Sequence, residues 1–222
     1  MLNRRALLSM IMLAPLGACV TGPGYRVEDG FERLLTLSTQ RAFARLFAPD
    51  GFYDAQIARI DLLPLPENPS SKMRQIIEAV MQTGAVRRRI SMMLNRVAQD
   101  AARRAMPVIT AAIRGMSRDE ALAAFNAGPT AATDLLREHV GPAVIDAIIP
   151  GVSQGLRADA LEILGAVGAA ATGVDYVELG RALATQAMYG MFAAIGREEA
   201  AIRADPAATR DPVLIALIRP QR

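Results

Sequence analysis

The sequence predicts an all-α fold: an irregular multi-helix bundle with a Pro-rich extended strap and a kinked central helix. Three observations carry this. No run alternates apolar and polar residues with period two for long, and no hairpin turn signal occurs. Apolar residues instead recur at three- and four-residue spacing in segment after segment. Breakers such as Gly128-Pro129 and Gly141-Pro142 punctuate the segments.

Taken in order, the first helix fits Glu28 to Phe47. Phe31, Leu34, Leu35, Phe43, Leu46 and Phe47 form its apolar stripe, and Glu28, Asp29 and Glu32 sit where the helix dipole favours negative charge. Ala48-Pro49-Asp50-Gly51 stops it. Ile57 to Pro69 carries Pro64, Pro66 and Pro69 and reads as the extended strap. Ser70 or Ser71 can cap a helix to about Gln82, ended by Gly84. Val86 to Met116 is the longest helical segment, with Ile90, Met93, Leu94, Val97, Ala101, Ala105 and Val108 as its apolar stripe. Arg89, Arg96 and Arg103 repeat every seven residues on another face, and Pro107 should kink the helix.

Ser117-x-x-Glu120 is a capping box that opens a short helix to Phe125. Thr130 starts another through His139. Gly141-Pro142 should break the chain, leaving Ala143 to Ile149 as a separate apolar helix ending at Pro150-Gly151. Ala158 to Ala171 is rich in Ala and Gly and should pack closely on a neighbour. Asp175 can cap a helix to Ala204, disturbed near Gly190 or Gly196. Asp211-Pro212 is a cap followed by proline at the first helical position, opening a last turn or two.

Ahead of this domain lies a different kind of segment. Arg4 and Arg5 precede an apolar run, Ala6 to Leu13, and then Leu16-Gly17-Ala18-Cys19. Charge, apolar run and small residues in that order are a secretory signal. The last four residues also resemble the bacterial lipobox, which implies cleavage before Cys19 and acylation of its thiol. A thiolate is the most nucleophilic side chain on offer. Two or three acyl chains hold a protein on a membrane where one does not, at roughly 0.8 kcal/mol per buried CH₂. The plain alternative is an ordinary signal peptide with Cys19 removed or left as an odd thiol. Residues 1–18 are thus expected to be signal, 19–27 a flexible tether and 28–222 one helical domain. Val20, rather than Asp, favours the outer over the inner membrane in the sorting pattern this resembles. Asn3-Arg4-Arg5-Ala6-Leu7-Leu8 matches a twin-arginine signal only loosely, so either export route stays open.

Composition sets further bounds. Cys19 is the chain's only cysteine, so no intrachain disulfide can form. No second apolar run lacks charges for 18 residues, so no membrane span is expected. The net charge of +3 hides an asymmetry. Lys72 to Arg118 holds ten basic residues against Glu78 and Asp100, a net of +8, while Asp119 to Arg222 nets −5. The two parts can compensate each other within one fold, or the basic part can face anionic lipid or a polyanion.

The familiar chemistries fit poorly. Gly151-Val152-Ser153-Gln154-Gly155 matches a nucleophile-elbow pentad, but that elbow needs a strand before it and a later histidine. The only histidine, His139, comes earlier, so the pentad reads as a helix-breaking loop. One histidine and an acylated cysteine do not build a zinc site. Asp119-Glu120 and Glu198-Glu199 fall at expected helix ends or surfaces, where solvation is their expected role. Arg87-Arg88-Arg89 has no interleaved aromatics, which argues against nucleic acid. No catalytic, cofactor or metal residues are nominated.

Several signatures coincide along the chain: Ile60-x-Leu62 followed by prolines, Leu94-Asn95-Arg96-Val97-Ala98-Gln99, Ala112-Ile113-Arg114-x-Met116, Glu120-Ala121-Leu122, Ala131-Ala132-Thr133, and Glu198-Glu199 through Asp205-Pro206-Ala207-Ala208. In that order they resemble a family of bacterial envelope proteins catalogued as domain of unknown function 4197, over about Glu28 to Ile218. The resemblance implies a fold, not an activity. Its last helix differs here in carrying Leu214, Ile215 and Ala216 where the family often has lysines. Asn95, Arg96 and Gln99, with Thr133 and Arg137 on a facing helix, form a candidate polar cluster. It would hold helices in register or bind an anionic headgroup. The expectation is an envelope lipoprotein that binds an apolar or lipid ligand or a protein partner without doing enzyme chemistry. The alternatives are a structural adaptor and an enzyme using carboxylate and arginine.

Overall fold

The computed structural model describes residues 25–55, 84–125, 127–167 and 176–218. The signal segment, Cys19, the tether to residue 24, the Pro-rich strap, the helix after it, Asn126 and the Asp175 cap lie outside those residues. The described residues form an all-α fold with no strand among them.

The helices are α1 (Val27–Leu46), α2 (Gly51–Asp54), α3 (Gly84–Gly115), α4 (Arg118–Phe125), α5 (Ala131–Val167), α6 (Tyr176–Ala204) and α7 (Pro212–Leu217), with a 3₁₀ turn at Pro206–Thr209 between the last two. Their starts follow local chemistry. Glu28 and Asp29 lie in the first turn of α1. The Ser117 backbone N–H donates to Glu120 Oε2 at 2.8 Å, while the Glu120 N–H donates back to Ser117 Oγ at 3.4 Å. That reciprocal pair is the capping box. The Asp211 carboxylate accepts from the Val213 and Leu214 N–H groups, with Pro212 at the first helical position of α7.

Four helices form the body, each antiparallel to the next. Gln99 on α3 reaches the carbonyls at the end of α1, whereas Arg118, just past α3, pairs with Glu28 at the start of α1. Those contacts set α1 against α3. Val97 packs at Gly155 and Arg104 at Gly151, setting α3 against α5. Ser153 faces Gly180 and Thr130 faces Gly196, setting α5 against α6. Arg45 pairs with Glu198, and Arg33 with Asp211 beyond the end of α6, which returns α6 alongside α1. The first half of α3 therefore runs past the end of α1, and the short α2 packs on α3 as well as α5 and α6.

Close approach is built from small side chains. Ala98, Ala101, Ala102, Ala105, Ala132, Ala184 and Ala187 are all buried, among larger anchors such as Phe31, Phe43, Leu94, Ile109, Leu136 and Met191. At Gly155 an added Cβ would lie 2.9 Å from Val97 Cγ2, so that crossing is set by the missing side chain. At Gly51 it would strike the Arg45 carbonyl oxygen, which explains the glycine where the chain turns out of α1.

One expectation fails here. Gly141-Pro142 and Pro150-Gly151 do not break the chain; α5 runs through both as a single helix of 37 residues. The pentad Gly151 to Gly155 is likewise helix, not loop. The reason is tertiary. Val140, Val144, Ile148 and Val152 are buried in the shared core, and that burial outweighs the lost ladder bonds. Pro142 and Pro150 themselves are exposed, as are Glu138 and Asp146, the residues whose carbonyls each proline leaves unbonded. Water can satisfy those carbonyls. Pro107, inside α3, is exposed in the same way, and α3 continues to Gly115.

Candidate functional site

The densest polar arrangement is a node where α6, α5, α4 and α1 meet. Glu199 on α6 has 0% exposure and Glu198 beside it 3%. The two carboxylates serve different partners. Glu199 Oε2 accepts from the Thr133 N–H at 2.7 Å and the Thr133 hydroxyl at 2.6 Å; Oε1 accepts from the Ala132 N–H at 3.2 Å and Arg203 Nε at 2.8 Å. Ala132 and Thr133 lie in the first turn of α5, where backbone donors have no partner within the helix. Glu199 is thus an N-terminal cap supplied by another helix, with the α5 dipole favouring its charge.

Arg203 completes the node. Its guanidinium donates through Nη1 to the Phe125 carbonyl at the end of α4 and lies 5.6 Å from the Phe125 ring centroid. Its Nη2 has no hydrogen-bond partner among the described residues. Glu198 turns the other way and pairs with Arg45 of α1. Two turns earlier on α1, buried Ser38 donates to its own helix at Leu34 O, 2.7 Å. Thr39 Oγ1 is buried without a partner among the described residues.

A buried carboxylate with four donors, one of them from an arginine, has no accepting capacity left for a substrate. What it does is join helices. The expectation that Glu198 and Glu199 are solvated is therefore corrected. The spacing Glu199…Arg203 is a sequence signal for an i, i+4 pair, but nothing local reveals that Thr133 supplies the other donors.

The five residues of the expected polar cluster have their described bonds elsewhere. Asn95 is buried and donates to Ser91 O in its own helix at 2.6 Å. Arg96 is exposed. Gln99 Nε2 donates to Leu46 O and Ala48 O, at 3.1 and 3.0 Å, satisfying carbonyls at the end of α1. Thr133 belongs to the Glu199 node. Arg137 pairs with Asp134 at 3.1 Å and lies 5.7 Å from the Tyr189 ring centroid. The described hydrogen bonds and ion pairs of these five run to other residues, not to one another.

A second polar group gathers at the start of α1. Glu28 pairs with Arg118 at 2.9 Å and Arg26 at 3.5 Å. A backbone hydrogen bond, with these two arginines, lowers its pKa below 4.5. The Ser117 hydroxyl and N–H, then His139, hold Glu120 below the same value; His139 Nδ1 lies 3.6 Å from Glu120 Oε1. Burial raises Asp211, but Arg33 and the Leu214 and Val213 N–H groups outweigh it and leave it below 3.8. These carboxylates too act as caps and clasps. Ser153, the pentad's serine, sits on a helix against Gly180 rather than on an elbow. Among the described residues no group of three or more His, Cys, Asp or Glu could hold a metal ion, and no helix is long and apolar enough to cross a membrane.

A protein family described as "Protein of unknown function (DUF4197)" matches residues 24–218. No curated protein and no solved structure matches the chain.

Proposed function

The chain belongs to the family described as "Protein of unknown function (DUF4197)", and from that premise we propose that it is an envelope lipoprotein. In this reading acyl chains on Cys19 hold a helical module at the periplasmic face of a membrane, the outer one by virtue of Val20. The module works by binding an apolar ligand or a protein partner, not by covalent chemistry. The observation that carries the reading is the order Arg4-Arg5, apolar run, Leu16-Gly17-Ala18-Cys19 ahead of a helical domain that begins at Val27. The residues between would let the domain stand roughly 25–30 Å from the bilayer at full extension.

The interior supports the binding half of this reading. Its carboxylates and arginines are engaged in joining helices, so the surface is what the module has to offer. The alanine seams also favour a protein partner, or a plain adaptor role, over an interior ligand, because they bring helix backbones close together.

Cell fractionation of Cys19→Ser tests the anchor. The variant should lose metabolic labelling by fatty acid and leave the membrane fraction; unchanged labelling and sedimentation would refute the anchor. Native mass spectrometry of the mature protein separates an apolar ligand from the structural-adaptor alternative. Co-purified lipid supports an apolar ligand, and bare protein supports the adaptor.

A further inference from the structure

The sequence repeat Arg89, Arg96, Arg103 lies on the exposed side of α3. In the folded chain it lengthens into a ridge. At 100° per residue, Arg89, Arg96, Arg103 and Arg114 fall within about 20° of one line along α3, over about 38 Å. All four are exposed. Arg88 and Arg104, also exposed, flank that line. Asp100 is the only acidic residue in α3 and lies 4.0 Å from Arg103. Between the arginines stand Met92, 39% exposed, and the short side chains of Pro107 and Ala111, also exposed. The Arg103 guanidinium carbon lies 4.8 Å from the Phe47 ring centroid, so this head group is held on the body at the edge of the ridge.

We propose that this ridge is a second membrane contact, seating the long axis of the molecule on an anionic bilayer surface. This contact rests on the anchored reading above and gives that module its partner. Three features select a bilayer. The ridge is long, which fits a plane better than a compact ligand. Arginine forks bind lipid phosphate oxygens bidentately. Met92, partly exposed among the cations, adds a small apolar contact for the headgroup layer. The charge is complementary as well: α3 holds seven arginines against Asp100.

The test uses the full acylated chain with Met92→Cys. Cys19 is the only native cysteine and would be blocked by acylation, so an environment-sensitive dye reports from the ridge alone. The chain is reconstituted on phosphatidylcholine vesicles and on vesicles one-third phosphatidylglycerol. The dye should shift to the blue on the anionic vesicles only, and 0.5 M salt should reverse the shift, because screening shortens the reach of the ridge. Adding Arg96→Gln and Arg114→Gln should weaken the dye-reported docking about fivefold per arginine. A dye that stays in water on both vesicles overturns the proposal. So does an equal shift on soluble poly-glutamate, which would make the partner an acidic protein. A chain that washes off neutral vesicles removes the acyl anchor without deciding the ridge, which is still read on the anionic vesicles: a shift there supports it and no shift overturns it.

Discussion

Glu199 has no exposed surface, and both its oxygens are occupied by donors from two other places in the chain. Removing one side of such an arrangement leaves charge without a partner. Glu199→Ala should therefore lower unfolding free energy by about 3–5 kcal/mol, because it strands Arg203 and the first turn of α5. Denaturant titration checks this; a loss under 1 kcal/mol would mean water already satisfies those groups. Asp211 is a smaller case with a pH signature. Its carboxyl is depressed in the fold, so the stability it adds is complete above its ordinary value of 3.8 and fades as pH falls through the lower folded value. Asp211→Ala should cost about 1 kcal/mol at pH 7. The gap to the parent should close below that range, as thermal melts at stepped pH would record.

At the scale of elements, α5 is the informative helix. It keeps helical geometry through Pro142 and Pro150 because its apolar face is held on both sides, by α3 and α6. Proline in an exposed helix interior is unfavourable by about 3 kcal/mol relative to alanine. Pro150→Ala should therefore raise the melting temperature with circular dichroism at 222 nm nearly unchanged. A drop in melting temperature would indicate a real break at that point. Gly155→Val should act in the opposite sense, costing about 1–3 kcal/mol by overpacking against Val97.

These elements also show what the sequence could reveal. The Ser117–Glu120 box and the Asp211 cap are complete within four residues, and both form as read. The apolar stripes of α1 and α3 place Phe31, Leu34, Leu94 and Val97 in the core for the same reason. The breaks read at Gly141-Pro142 and Pro150-Gly151 weigh only local propensity, which the core overrides. Glu198-Glu199 reads as a solvated pair because Thr133 lies 66 positions away and Arg45 is on the first helix. Gln99 was legible as an important polar residue but not as the clasp on the end of α1.

At the scale of the whole molecule, the described residues form antiparallel helices whose buried polar groups join them to one another. In the proposed reading, function falls to the surfaces and to a lipid on Cys19. Tether and arginine ridge would act together: the first fixes the distance to the bilayer, the second the orientation. Intact-mass and N-terminal peptide analysis of the chain purified from its native membrane tests the anchor most directly. The expected result is a mature chain that starts at Cys19 and carries a diacylglyceryl mass on that residue. A mature chain starting elsewhere, or starting at Cys19 with a free thiol, would contradict it.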